Sequence, residues 1–430
     1  MNKVKTIFSI ALLSMLLGMN ATAAEKGATA PTTEKAAPKV EKATAKPTTA
    51  KVSSEKTLSD SFKDGKFKGQ AAVYYEVHDR DKSGGTTGDS FAVGTLKLKY
   101  ETAKWNNIQF GAELFAASQL YDHGNEYAGD FDKANGDDNT LAALSEIYIK
   151  YNFGKKSFIK AGRYSHKKTS HFDDAQSEGA FIQYNEIEDL SVNFGFMTKF
   201  AELDYDDFED FGDSGSEGGQ DLSDDKYGDS DDFVVYLDAD YKISDSLSIN
   251  PYLYHQGDYA SVLGSELTLK GKLSENTKIG TTANFYTVET DGDLKDTEGS
   301  GSQAVSFHPW VKFGNLKLGT GVAYFTEGVA KPAWFKDYLG GFDQENEYPG
   351  ASATDESTTA IQGTVEYKYN NFKVRYGIQQ WDTANEELEQ ELIFGYKFTK
   401  ALDLSLRLFA VDQTGSDDYN KMEARLRFKF

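Results

Sequence analysis

Side chains able to do covalent or metal chemistry are sparse in this chain of 430 residues. The six histidines, His78, His123, His166, His171, His255 and His308, are scattered, and no Ser-His-acid or HExxH spacing accompanies them. Cysteine is absent, which removes thiol nucleophiles, disulfides and thiolate metal sites. Neither a catalytic residue, a cofactor nor a bound metal is therefore expected, and the chain is read as a non-enzyme. The chemistry left open is electrostatic. Arg375, Arg407, Arg425 and Arg427 take the polar positions of alternating segments, and so do Asp238, Asp240, Glu266, Glu366, Glu389 and Glu391. Placed on one surface, such groups set up a field that acts on solutes and ions. The net charge of −22 argues against nucleic acid, which needs a basic face.

The elements that position these charges follow from a period of two. Leu96, Leu98 and Tyr100 share a face, as do Ile108, Phe110, Ala112 and Leu114 after the short turn Glu101-Thr102-Ala103-Lys104. The pattern returns with Ile147, Ile149, Tyr151 and Phe153, then with Leu190, Val192, Phe194 and Phe196. Turns such as Ser244-Asp245-Ser246, Gly314-Asn315 and Asn370-Asn371 carry tight hairpin chemistry. From Phe67 onward the segments number eighteen. Long polar connections, at about 118–140, 202–231, 289–302 and 327–357, all fall on one side, and the short turns fall on the other. That asymmetry and an even count predict an all-β transmembrane antiparallel barrel of 18 strands with short periplasmic turns and long external loops. Barrels of that size enclose an aqueous channel.

The ends of the chain fit an exported barrel. Lys3 and Lys5, an apolar run from Ile7 to Met19 and the small residues Ala21 to Ala24 read as a cleavable signal over residues 1–24. Residues 25–64, rich in Ala, Lys, Pro and Thr, read as a disordered periplasmic extension, and 65–430 as the barrel. At the other end Met422, Ala424, Leu426, Phe428 and Phe430 share a lipid-type face, and Glu423, Arg425, Arg427 and Lys429 the opposite one. This terminal aromatic resembles the assembly signal of bacterial outer-membrane barrels. Mean hydropathy of −0.57 does not argue against a membrane, because only alternate strand residues face lipid.

A strand ends at Lys160-Ala161-Gly162-Arg163-Tyr164, a loop runs from Ser165 to Ser177, and the next strand opens with Glu178-Gly179-Ala180. These motifs resemble the OprD-type porins of proteobacteria, the Opr family, and the eighteen-strand layout extends the likeness over residues 67–430. The resemblance implies an outer-membrane, water-filled channel for passive diffusion of small hydrophilic solutes and ions. It implies that the third loop, with His166, Lys167, Lys168, His171, Asp173 and Asp174, folds inward to narrow the channel. It also implies a basic ladder, to which Arg163 belongs with the four arginines above, facing the six acidic positions. Strict alternation points Arg163 outward with Ile159, so its membership requires a bulge at Gly162 that resets the phase.

The acidic stretch from Asp204 to Asp225 could bind Ca²⁺ or Mg²⁺ and bridge to lipopolysaccharide, but it lacks the spacing of a dedicated calcium loop. A solvated acidic loop is the simpler reading. Outer-membrane lipid and lipopolysaccharide are the expected surroundings, and homotrimer formation is left open. The rival to a channel is an adhesin-type surface protein that uses these loops to hold a partner.

Overall fold

Alternating segments with turn residues between them form strands, and here nearly the whole described chain does so. The computed structural model describes residues 57–82, 85–123, 140–166, 176–201, 220–221, 233–329, 335, 353–354, 357–382, 387–413 and 419–430. The barrel begins with β1 (Lys66–Lys82), β2 (Gly85–Glu101), β3 (Ile108–His123), β4 (Thr140–Phe153), β5 (Ser157–Ser165) and β6 (Gln176–Tyr184). It continues through β7 (Leu190–Ala201), β8 (Val234–Lys242), β9 (Leu247–Gln256), β10 (Ala260–Lys272), β11 (Thr277–Thr290) and β12 (Gln303–Phe313). It ends with β13 (Leu316–Phe325), β14 (Thr358–Tyr369), β15 (Phe372–Asp382), β16 (Glu387–Lys397), β17 (Leu402–Gln413) and β18 (Tyr419–Lys429).

Every strand pairs antiparallel with its neighbours in sequence, and β18 returns to β1 from Gln70↔Lys429 to Arg80↔Tyr419. The last residue seals this seam. Phe430 donates its N–H to the Gly69 carbonyl at 2.9 Å and accepts the Gly69 N–H at 2.8 Å. Gly69 leaves room there for the Phe430 ring, which lies where a Cβ would stand.

The two faces of the wall differ as the alternation requires. Outward phases expose Val73, Ile147, Ile149, Phe194, Phe285, Val365, Ile378 and Leu426. Tyr151, Tyr184, Tyr241, Tyr369 and Tyr396 ring the end that carries the chain termini. Such an apolar band with an aromatic girdle is the surface a barrel presents to lipid. The inward phases hold buried polar groups, including Glu76, Glu146, Asp238, Asn284, Glu391 and Glu423.

At the terminal end every connection between strands is a short turn. The long connections 124–139, 202–233 and 326–357 lie at the opposite end, as expected. That end also carries very short ones, between β1 and β2, β9 and β10, β15 and β16, and β17 and β18. The sorting of loops is thus one-sided: long loops occur at one end only, but that end is not uniformly long.

Residues 1–56, with the expected signal and most of the extension, lie outside the described residues. The extension was expected to be disordered to residue 64, and its last turn is instead the helix α1 (Leu58–Lys63). Thr57 and Asp60 form a reciprocal capping box, which supplies partners for the free N-terminal amides. The Ala103 N–H donates to the Ser61 carbonyl, the Tyr100 hydroxyl donates to the Phe62 carbonyl, and the Phe62 ring stacks on Phe110. These contacts fix the helix to the terminal rim at β2 and β3.

Two local devices shape the third connection and its foundations. Gly162 has φ of 118°, and a Cβ there would sit 2.3 Å from the Ile147 carbonyl oxygen. Substitution Gly162→Ala is expected to cost the barrel about 1–3 kcal/mol, read as a lower urea midpoint for loss of the folded band in lipid vesicles. At the terminal rim, Glu186 Oε1 accepts the N–H groups of Lys155, Lys156 and Ser157 and the Ser157 hydroxyl, within 2.8–3.1 Å. Those hydrogen bonds, led by the Lys156 N–H, hold its carboxyl below the usual carboxylate range. A depressed folded value means the stabilisation is complete above the unfolded-state carboxylate range and is lost as pH falls through the folded value. The Lys155–Ser157 amides should exchange more slowly than free amides at neutral pH in the native chain, and that protection should be missing at every pH in Glu186→Ala.

Candidate permeation pathway

Inward-facing side chains from adjacent strands meet in rows, because residues paired across an antiparallel ladder point to one face. One row runs Arg375, Ile393, Arg407, Glu423 and Glu76 over β15, β16, β17, β18 and β1. The row beside it runs Gly377, Glu391, Phe409 and Lys421. Diagonal contacts knit the two together. Arg407 donates to Glu391 at 3.0 Å and to Glu423 at 3.2 Å, while Arg375 lies 4.0 Å from Glu391. Lys421 reaches Glu423 at 3.1 Å and Glu76 at 3.3 Å.

The register makes Lys421 necessary. Glu76 and Glu423 are direct cross-strand partners, so two carboxylates would otherwise face each other. Nearer the terminal end Arg427 grips both oxygens of Asp403 at 3.1 Å, and Arg425 stands in register with Tyr74, whose hydroxyl donates to Glu76. Glu366 is the direct partner of Arg375 and binds Lys368 at 2.8 Å and Lys373 at 3.4 Å. Glu389 is buried on the inward phase of β16, opposite Gln379 and Val411.

All four arginines of the last strands are therefore inward and close, and three of the six acidic positions stand among them. The expectation that the six acids face the arginines is corrected for Glu366, Glu389 and Glu391. Their strands adjoin those of the arginines, so they alternate with them laterally. Asp238, Asp240 and Glu266 do lie on the other side of the ring, on β8 and β10. There Asn193 donates to Asp238 at 2.6 Å, Asn250 donates to Asp240 at 2.9 Å, and Glu266, in register with Asn284, accepts from the Thr268 hydroxyl at 3.2 Å. The Oδ2 of Asp238, a residue 1% exposed, has no partner among the described residues.

Above these carboxylates, toward the loop end, the same wall is aromatic. Tyr236 stacks on Tyr254 at 5.9 Å with ring planes 15° apart. Phe335 wedges against Tyr252, Tyr254 and Tyr286 at 5.4–6.0 Å. Glycines make room: a Cβ on Gly264 would strike the Tyr252 ring, so that ring lies flat along the wall.

Arg163 departs from the expectation. Gly162 has its left-handed φ, but the phase is not reset, since Lys160 and Tyr164 on either side both remain inside, Lys160 Nζ lying 5.5 Å from the Tyr164 ring. Arg163 thus keeps the outward phase of Ile159 and faces exposed Ile147. Its Nε donates to Glu178 at 2.9 Å and its Nη1 to the Leu144 carbonyl at 2.9 Å.

His166 turns onto the inner aromatic wall, with Nε2 2.7 Å from Ser177 Oγ and its ring edge-on to Tyr164 and Tyr236. Lys167, Lys168, His171, Asp173 and Asp174 lie outside the described residues, as does most of the acidic stretch from Asp204 to Asp225.

Sequence reasoning missed a second charged stripe on β2–β5. Lys99 binds Glu146 and lies 3.9 Å from Glu113, and Lys160 Nζ sits 4.2 Å over the Tyr148 ring. The signal was present in Leu96-Lys97-Leu98-Lys99-Tyr100, where the lysines occupy the inward phase of a strand identified by its outward leucines. Among the described residues no cluster of three or more His, Asp or Glu could hold a metal ion.

With this geometry in place, three solved barrels are informative. A Pseudomonas aeruginosa OpdQ structure aligns over 87% of this chain and 99% of its own, at 16% identity and TM-score 0.66. OccK9 (OpdG) of the same organism aligns over 86% and 99%, at 14% identity and TM-score 0.71. OccAB4 of Acinetobacter baumannii aligns over 85% and 98%, at 14% identity and TM-score 0.65. These are OprD/Occ porin barrels, and this chain shares their fold. No family model matches the chain, and no curated protein matches it in sequence. The likeness is therefore one of architecture, and the inner wall has to be read from this chain's own residues.

Lys421→Met leaves Glu76 and Glu423 opposed and is expected to cost about 1.5–3 kcal/mol of barrel stability. Adding Glu423→Gln should restore most of it, checked by urea unfolding of both variants in vesicles.

Proposed function

We propose that this chain is an outer-membrane porin, a water-filled channel for passive diffusion of small hydrophilic solutes and ions with mild charge selectivity. The observation that carries the reading is the reversal of polarity across one closed wall, apolar outside and densely charged inside. A ring of this many strands is too wide for side chains to fill, so the charged interior is wet. The fold likeness to barrels that include the outer membrane protein OpdK of Pseudomonas aeruginosa supports the location. The termini then lie on the periplasmic side and the long connections outside. Residues 1–24 serve as the export signal and 25–56 as a spacer. No reacting constellation is needed, and the chain works by conduction.

The lining follows from the rows. Arg375, Arg407, Arg425 and Arg427, with Lys421, form the basic side of the pathway, moderated by Glu366, Glu389, Glu391 and Glu423. Asp238, Asp240 and Glu266 supply the opposite sign half the ring away. The position of His166 against the inner aromatics supports a third loop that folds inward with Lys167, Lys168, His171, Asp173 and Asp174 and narrows the channel. A transverse field of this kind favours compact dipolar solutes over bulky apolar ones.

The direct test is a planar-bilayer recording. Purified protein should give stepwise conductance, and a silent membrane overturns the proposal. Replacing Arg375, Arg407, Arg425 and Arg427 together by Gln should move the reversal potential in a salt gradient toward cations. One charge about 8 Å from the ion path is worth ~0.5 kcal/mol in water-like dielectric, about a twofold change in the local concentration of each ion per arginine before salt screening. An unchanged reversal potential would remove the basic side from the selectivity mechanism.

A further inference from the structure

Helix α1 sits on the outside of the wall. The Phe62 ring stacks on Phe110 with centroids 6.2 Å apart, and Phe110 belongs to the outward phase of β3. Tyr100, the donor to the Phe62 carbonyl, takes the outward phase of β2, where its cross-strand partner on β1 is Phe67. The aromatic surface continues around the seam, since Phe428 stacks on Phe430 at 5.8 Å. Leu58, four residues before Phe62 and so on the same side of the helix, is 40% exposed, while Phe62 and Phe67 are 49% and 60% exposed. The apolar side of α1 thus extends the outer belt without a break.

The backbone of α1 supplies an independent observation. A helix of six residues leaves most of its N–H and C=O groups without intrahelical partners, and water ordinarily serves them. Here the chain itself does. The Thr57 N–H donates to Asp60 Oδ2 at 3.0 Å, and the Asp60 N–H donates to Thr57 Oγ1 at 3.2 Å. The Leu58 carbonyl accepts the Ser61 hydroxyl at 2.7 Å, the Asp60 carbonyl the Asp64 N–H at 2.9 Å, and the Ser61 carbonyl the Ala103 N–H at 2.9 Å. The Phe62 carbonyl accepts the Tyr100 hydroxyl and, at 3.4 Å, the Gly65 N–H. A segment whose polar groups are met in this way leaves water at little cost. Around it, Lys63 and Lys104 are exposed and Trp105 is half-buried in the adjoining turn, the mixture of cations and aromatic rings that suits a membrane–water boundary.

We infer that α1 is an interfacial foot that lies in the periplasmic leaflet of the membrane, with Leu58 and Phe62 among the first acyl carbons and Ser59 and Lys63 toward the headgroups and water. The inference rests on the outer-membrane location proposed above. Its partner is the phospholipid bilayer as such, and no headgroup is selected. Because the helix is bonded to β2 and to the turn before β3, its depth and that of the rim are set together.

The chain contains no cysteine, so one introduced thiol reports on one place. Leu58→Cys, Ser59→Cys, Phe62→Cys and Lys63→Cys, with Ile149→Cys on the outward phase of β4 as a control, are each labelled with a nitroxide in the full chain and reconstituted in phosphatidylcholine vesicles. Power saturation then compares collisions with oxygen, which concentrates in hydrocarbon, and with a neutral nickel chelate, which stays in water. The oxygen-to-nickel ratio should be several-fold higher at Leu58 and Phe62 than at Ser59 and Lys63, and highest at Ile149. Should a label at Phe62 disturb its stack on Phe110, the contrast between Leu58 and Ser59 decides alone. Equal ratios at the helix positions, with Ile149 in hydrocarbon, overturn this inference and leave the membrane reading standing. Labels at Leu58 and Phe62 shielded from both reagents also overturn it, since a protein partner or a second copy of the chain then covers the helix. A water-exposed label at Ile149 brings down both readings.

Discussion

The constraint on which everything else depends is that backbone amides facing hydrocarbon have no water to bond. A sheet in that environment has to close, because an open edge would leave a whole column of N–H and C=O groups without partners. In this chain closure falls on β1 and β18, and its last bonds are the reciprocal pair between Gly69 and Phe430. The side chain at the seam is subordinate to the backbone: Gly69 is bare so that the terminal ring can lie across it. Once the ring is closed, each strand has two neighbours and the inside of every residue pair is determined.

That determination explains why the inner charges pair laterally. Strands of a barrel are neighbours along the chain, so inward residues of β15 to β18 meet one another long before they meet anything across the lumen. Arg407 therefore bridges Glu391 and Glu423, and Lys421 separates the directly opposed Glu76 and Glu423. A carboxylate among arginines keeps them extended along the wall and softens the field they project. For the proposed channel, mild selectivity follows from a wall on which opposite charges already alternate.

How much of this could be read from sequence depends on how local each feature is. The alternation of Phe428, Leu426 and Ala424 against Arg427 and Arg425 is visible within five residues, so the strand count and the inward phase of the four arginines were legible. The pairing of Arg407 with Glu391 and Glu423 was not, since it depends on register between strands rather than on phase within one. Gly162 shows the same limit from the other side. Its left-handed φ was foreseeable from the residue type, but whether such a glycine shifts the phase depends on how β4 pairs with it, and Tyr148↔Gly162 stays in step. The helix α1 escaped notice because a six-residue turn is stabilised by its capping box and by Phe62 on Phe110, both hidden in a stretch whose composition reads as disorder.

The two sides of the ring solve the problem of a wet interior in different ways. On β15–β18 and β1, ions neutralise ions. On β8–β11, Asp238 and Asp240 accept from Asn193 and Asn250, and rings line the same wall, Tyr252 lying flat against Gly264. Carboxamides donate to an acid without bringing a charge of their own, whereas the arginines opposite stand beside carboxylates that offset them. The two sides therefore differ in how each charge is met, by a dipole on one and by an opposite ion on the other. A count of inward arginines and acids along the sequence misses that difference, because it does not register which charges have already met a partner of opposite sign.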